Sequence, residues 1–589
     1  MLKNDTLENV LIIDLTNKAF RIERRPELFE ERIGGAGVAI ALLDEFCPKD
    51  ADALGPDNPI ILAVGALTAH FPLCSKTVAM FKSPLTGNLG ESHCGGRSAV
   101  SIRMAGYGAI VITGQSDRPI YLSIGNNGKV RFRDASTTWE MKNSSTVAKV
   151  IRENEEMAGM RSIMRIGQAG VKQVNYACVT TETFRHFGRL GLGAVFGSKK
   201  LQAIAVTGRS NLPVSDGKEY KAVYDEIFDA ATKSELMKKY HDLGTPINVR
   251  TLNELGALPT KNLQETSIEG CENITGEHYA ENFLGRRLAC AHCPVACIHI
   301  AALREAYEDE PYFYKTSMIS YDYELIYALG SLLGVTDSEG LLKLMDEVEV
   351  WGLDAMSGGV VLAWATEAFE KGLITEKDTG GLKFSFGDWE TYMDALERIV
   401  CQPNDFYKAL AKGADYASDI YGGKEFSLTF GKNEMPGYHA GPASHIGYLV
   451  SARHSHLCNA GYSVDQKVLL KDKSAYKPEI VAKKLIDEEI WRQVLSSLCI
   501  CFFARGIYKH ELVVKALKCA GLTFTEKQLD EIGEKIYREK FDFKKREGFD
   551  FDKLTIPKRI TETKSPVGMV EEEFIRKSVA FVKAFHEKL

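Results

Sequence analysis

Short apolar runs closed by turn residues dominate the first third of the chain. Residues 10–15 (VLIIDL), 60–64, 109–114, 121–124 and 203–208 are rich in Val, Ile and Leu and predict strands. Glycine-dense stretches at 34–37, 95–96 and 188–197 separate them. From Ser215 onward apolar positions recur at helical spacing, as in 220–239 and 340–351. Polar stretches at 375–388 and 422–437 read as loops between helical blocks. The pattern predicts an α+β protein: a β-rich N-terminal domain over 1–209, followed by two mainly α-helical domains over 210–410 and 411–589. No internal repeat, coiled coil or long disordered tail stands out.

Length and charge narrow the picture. At 589 residues the chain suggests three to four domains of about 150 residues each, enough to enclose a large cofactor. The net charge of −6 leaves no basic footprint for nucleic acid. Asp5 and Glu8 interrupt the N-terminus before an apolar signal region could form, and the greasy stretch 498–504 is far too short for a bilayer. These features read as cytoplasmic, without membrane insertion. Thirteen cysteines, three of them within eight residues, point to metal binding rather than a disulfide framework.

The sharpest chemical signal is Cys290-x-x-Cys293-x-x-x-Cys297. Three thiolates this close can face one inorganic centre while a fourth ligand arrives from elsewhere, as in iron–sulfur sites. The alternative is structural zinc, completed by His292 or His299. A second island, Cys499-Ile500-Cys501, offers a remote thiolate in apolar surroundings. The glycine-dense segments 82–96 and 185–200 are interleaved with Lys and Arg, a pattern suited to phosphate but shared with ordinary tight turns. Neither is a Walker loop or a dinucleotide fingerprint.

Taken in order, these segments resemble the aldehyde:ferredoxin oxidoreductases. The likeness runs through KSPLTG at 82–87 and the paired glycines at 95–96. It continues in 105–112, where Gly108 stands for the family's Asp, and in 185–206, nearly residue for residue. The cysteine triplet, Tyr323-Glu324 through Leu329-Gly330, and 352–359 complete it. It implies a tungsten or molybdenum ion held by two pterins, with magnesium bridging the pterin phosphates, beside a [4Fe–4S] cluster. Cys501 then falls at the fourth cluster ligand, with Cys499 as its rival, and Ser496 replaces an aspartate that touches pterin. Lys76, His93, Gly95, Arg185, His186 and Asp354 fall at cofactor-binding positions, with His93 and His186 replacing the commoner Asn and Ala. Glu324 matches the active-site acid, and His456, with His454 as competitor, the catalytic histidine. The implied reaction is aldehyde to carboxylic acid, with electrons passing to ferredoxin, a ferredoxin-like subunit or a larger NAD- or flavin-linked complex. A related branch, the ATP-independent aryl-CoA reductases, would need a coenzyme A channel, and no basic phosphate cluster is evident near the catalytic segments. From another class, a zinc-stabilised binding protein remains an alternative.

Overall fold

Leu201–Gly208 is buried along its whole length, and so is Ile60–Ala63. Strands covered on both faces need apolar side chains at every position, so their sequences are continuous runs rather than alternations. Each lies inside a six-stranded sheet. One sheet has the order Ala19–Arg24, Asn9–Asp14, Ala109–Thr113, Ile60–Ala63, Thr77–Lys82, Leu89–Cys94. The other has the order Arg185–Phe187, Val179–Thr181, Met160–Arg165, Leu201–Gly208, Ile120–Gly125, Lys129–Asp134. Each sheet contains one parallel pair and is otherwise antiparallel. The computed structural model describes residues 5–126, 128–156, 158–182, 184–307, 309–310, 312–471 and 476–588. Residues 1–4, where the N-terminal reading begins, lie outside that range.

The expected α+β class, β-rich first and helical afterwards, is observed. Three local expectations are corrected. Two of the glycine-dense stretches are helix starts: Gly35–Phe46 and Leu192–Ser198. A Cβ on Gly35 would stand 2.4 Å from the Ser496 carbonyl oxygen, so glycine there lets the N-terminal domain press against the 496–501 segment. The helix expected over 220–239 is two helices, Gly217–Thr232 and Glu235–Asp242, because the Ser234 hydroxyl accepts the Met237 N–H and starts a new one. The middle region, expected to be mainly helical, also contains a three-stranded antiparallel sheet, Leu284–Leu288, Ile298–Ala306 and Tyr314–Tyr321. The helix read at 340–351 spans Ser338–Trp351, with Asp337 as its N-cap.

One hydrophobic core runs from Leu7 to Val582 through all three regions. A smaller one lies under the second sheet, around Tyr121 and Ile151. No helix among the described residues is long and apolar enough to cross a membrane.

Candidate active site and its cysteine loop

Cys290, Cys293 and Cys297 occupy the connection between Leu284–Leu288 and Ile298–Ala306. Left-handed residues at His292 (φ 58°) and Ala296 (φ 52°) curl it tightly. Backbone hydrogen bonds stitch this loop to distant segments. Ala291 N–H donates to the Gly96 carbonyl (2.8 Å) and Leu73 N–H to that of His292 (3.0 Å). Cys501 N–H donates to the Leu73 carbonyl (2.9 Å), and Lys76 N–H to that of Cys499 (3.1 Å). The 73–76 segment therefore joins the two cysteine islands.

Cys293 and Cys297 sense the neighbouring sulfurs of Cys290 and Cys501. Burial first, and then the neighbouring thiolates, raise Cys293 and Cys297, the latter to about 12. Lys76 keeps its charge despite burial because Cys501 and Cys290 raise its pKa. Cys499 points elsewhere: fully buried at φ 60°, it places Sγ toward the Ala63 carbonyl at 4.0 Å. A Cβ on Gly95 would stand 2.9 Å from Cys290 Sγ and 3.2 Å from Lys76 Nζ, so any larger residue would have to displace the Cys290 thiol. The zinc tetrahedron finds no histidine: His299 Nε2 lies 2.9 Å from the His241 carbonyl, and His292 is exposed. Among the described residues no three His, Cys, Asp or Glu side chains form a site for a single metal ion.

Beside the cysteines opens a cavity of about 360 Å³. Lys76, His93, Gly95, Arg185, His186 and Asp354 all line it, as do Cys297, Glu324 and His456. So do Arg189, Arg453, Arg492 and Arg505. The sequence reading saw no basic cluster because these cations come from segments far apart in the chain; the fold gathers them. Several are held by acids or carbonyls. Arg189 donates to Asp354 (3.2 Å) and to the Glu434 carbonyl (2.6 Å), and Arg492 to the Leu457 carbonyl (2.6 Å). Asp354 also caps the helix Ala355–Glu370 through Met356 N–H. His186 pairs with Glu349. His93 Nε2 lies 2.7 Å from Glu91, whose other oxygen meets Lys540 at 2.6 Å. Burial pushes His93 down to about 4, so it is neutral. Ser496 does not line the cavity; it lies in a small adjoining cleft with Gln493 and Lys540.

Glu324 stands in the first turn of the helix Tyr323–Leu329, which Asp322 caps by accepting the Glu324 and Leu325 N–H groups. Its Oε2 accepts the Gly437 N–H (3.1 Å), and its Oε1 lies 3.2 Å from His456 Nε2, off the hydrogen-bond line. Burial raises the Glu324 carboxyl to about 8, with the Gly437 N–H opposing. Burial, and then Arg189, Arg453 and Arg492, hold His456 well below the usual imidazole range. Aromatic rings wall this end: Tyr438 stacks on Tyr462 at 4.2 Å and packs against His456 and Tyr323. His454 is not part of it. Its Nδ1 faces the Tyr448 carbonyl (2.9 Å) and its Nε2 the buried Lys544 amine (3.0 Å).

Sequence reasoning passed over Glu91, Glu349, Tyr438, Arg492 and Lys540, which carry no local signature. Arg189 was within reach, since it sits inside the glycine-rich 185–200 segment.

The N-terminal domain of aldehyde ferredoxin oxidoreductase matches residues 10–208, and domains 2 and 3 of the same enzyme match 222–587. The chain belongs to the aldehyde ferredoxin oxidoreductase family. It is an oxidoreductase. The tungsten-containing aldehyde ferredoxin oxidoreductase of Thermococcus kodakarensis is 31% identical over 96% of this chain and 93% of its own. That of Pyrococcus furiosus is 31% identical over 94% and 91%. The fold also matches the active-site complex of a benzoyl coenzyme A reductase bound to 1,5-dienoyl-CoA. The TM-score is 0.78 at 20% identity, covering 98% of this chain and 94% of the other.

The residues fit the metal pterin and iron–sulfur group that the family implies. Three buried polar atoms without a hydrogen-bond partner, Arg189 Nη1, Glu324 Oε1 and His456 Nδ1, belong to residues that line the cavity. Such atoms normally have a partner, and a polar ligand would supply it. The cationic lining suits pterin phosphates and thiolates.

Proposed function

We propose that the protein oxidises an aldehyde and water to a carboxylic acid, releasing two electrons and two protons. In this reading the cation-lined cavity would hold a tungsten (or molybdenum) bis-pterin. Cys290, Cys293, Cys297 and Cys501 hold a [4Fe–4S] cluster. The bound metal pterin supplies the two-electron redox centre. Lys76, Arg185 and Arg189 neutralise the anionic cofactor, and the Lys540–Glu91 pair fixes His93 toward it.

Glu324 does the proton work. Its buried carboxyl titrates near neutrality, so Oε1 can take a proton from water or substrate and release it. The Gly437 N–H holds Oε2 and thereby aims Oε1. Neutral His456, with Nε2 beside Oε1, can share that proton or donate to a developing negative charge on the substrate oxygen. The aromatic wall of Tyr438 and Tyr462 excludes bulk water from this end. The Glu324–His456 pair within the cation-lined cavity is the observation that carries the reading. The cluster, held by the four cysteines, would supply a one-electron exit to an external carrier of ferredoxin type in the cytoplasm, since the chain carries no dinucleotide fingerprint of its own.

The test is the purified holoenzyme under anaerobic conditions, assayed for W, Mo, Fe and Zn and for aldehyde-dependent reduction of a small dye. Tungsten or molybdenum with iron, and dye reduction that needs the aldehyde, are expected. Zinc as the only metal, with no turnover on any aldehyde, would overturn the proposal.

A further inference from the structure

The cysteine loop does not reach the surface alone. Three chain segments meet around it: the helix Glu235–Asp242, residues 284–297, and residues 501–509. His241 Nδ1 lies 2.8 Å from the Val295 carbonyl inside the loop. Arg287 donates to the carbonyls of His241 (2.8 Å) and Asp242 (3.2 Å), tying the strand before Cys290 to the same helix. Tyr240 stacks on Phe503 at 4.2 Å, tying that helix to the segment after Cys501.

Together these segments carry six cations, Lys238, Lys239, Arg286, Arg287, Arg505 and Lys509, against two carboxylates, Glu235 and Asp242. The chain as a whole is −6. A positive excess here therefore runs against the charge of the molecule, on segments that carry the cysteines or are tied to their loop. Lys238, Lys239, Arg286 and Lys509 are exposed, and none forms an ion pair among the described residues. Apolar groups accompany them: Leu236 is 48% exposed, and Ala289 is exposed at the loop itself. A small apolar patch rimmed by one sign of charge suits a brief encounter with a partner of the opposite sign, and it raises the association rate more than the affinity.

We propose that this basic rim is the docking surface on which the ferredoxin-type carrier of the reading above seats an acidic face. The proposal rests on the redox reading above. Its transfer step moves one electron at a time from the reduced cluster to the oxidised carrier, twice for each aldehyde oxidised, with no bond made or broken between the two proteins. Lys238, Lys239, Arg286 and Lys509 are exposed and outside the cavity lining that holds Glu324 and His456, so they act on the carrier and not on the aldehyde.

The experiment uses the holoenzyme and its Lys238→Glu/Lys239→Glu/Lys509→Glu variant, with a purified acidic ferredoxin and a small neutral quinone as alternative acceptors. For the unaltered enzyme, ferredoxin reduction should slow steeply between low and physiological salt, because screening shortens the reach of surface charge to about 8 Å. In the variant, kcat/KM for ferredoxin should fall about tenfold or more at low salt, while quinone reduction and the aldehyde KM stay unchanged. Equal ferredoxin kinetics in the two proteins would overturn the proposal. Direct binding of oxidised ferredoxin to each protein, read by calorimetry, separates this failure from that of the redox reading. If no aldehyde drove quinone reduction yet ferredoxin still bound only the unaltered protein, the surface would stand and the aldehyde reading would fall. A ferredoxin that bound both equally would remove the surface whatever the substrate.

Discussion

The two ends of the cavity are built differently. At the cysteine end, three thiols come from one turn and the fourth, that of Cys501, from a loop joined to it by backbone hydrogen bonds through 73–76. At the Glu324 end, the acid stands on a helix start in the middle of the chain, its neighbour His456 comes from the C-terminal region, and the cations around them come from the N-terminal and C-terminal regions. The first end is specified by chain-local spacing, the second by packing. At the first end one tight turn places three thiols at once, whereas the second depends on every wall that positions its groups.

The largest effect that could break this comparison concerns the cluster. Cys501→Ala should abolish the cluster's electron paramagnetic resonance signal, while Cys499→Ala, whose thiol faces Ala63, should keep it. The reverse result would move the fourth ligand to Cys499 and with it the geometry of that end.

Next comes Glu324→Gln, expected to lower kcat about 10²- to 10⁴-fold with tungsten and iron retained. The sign of the pH dependence follows from the raised carboxyl. Below about 8 the Glu324 carboxyl is largely protonated and cannot accept a proton, so kcat should climb as pH rises through that value. A flat profile from pH 6 to 9, or near-normal turnover in the Gln variant, would remove Glu324 from proton transfer.

A smaller effect separates the two histidines. His456→Ala should cost about 10²-fold in kcat by removing a donor to developing charge. His454→Ala, outside the cavity, should act mainly on stability, because it strips a partner from the buried Lys544 amine. A larger kcat loss in the His454 variant would reverse their roles.

The smallest effect tests how the acid is held. Asp322→Ala removes the cap of the Glu324 helix and should lower stability by about 1 kcal/mol in a denaturant titration. A loss within the scatter of the titration would mean that packing of Tyr323 and Tyr327 alone fixes that turn.

Legibility from sequence follows the same division. The central strands and the cysteine triplet were plain because their signals are consecutive residues. The sheet of the middle region was not, since its strands mix exposed and buried positions without clean alternation and carry Arg and Glu along exposed stretches. Glu324 could be singled out only by resemblance, as an isolated Glu in a helix is ordinarily solvated. The basic lining of the cavity escaped altogether: Lys76, Arg189, Arg453 and Arg492 are adjacent only in the fold. Choosing between His454 and His456 likewise needed the Lys544 contact, which no local pattern records.

Both ends meet in one measurement. Anaerobic addition of an aldehyde to the oxidised holoenzyme, without any acceptor, should bleach the visible absorbance of the iron–sulfur cluster, and the Glu324→Gln variant should bleach only with dithionite. A cluster that dithionite reduces but that no aldehyde reduces in the unaltered enzyme would contradict the account.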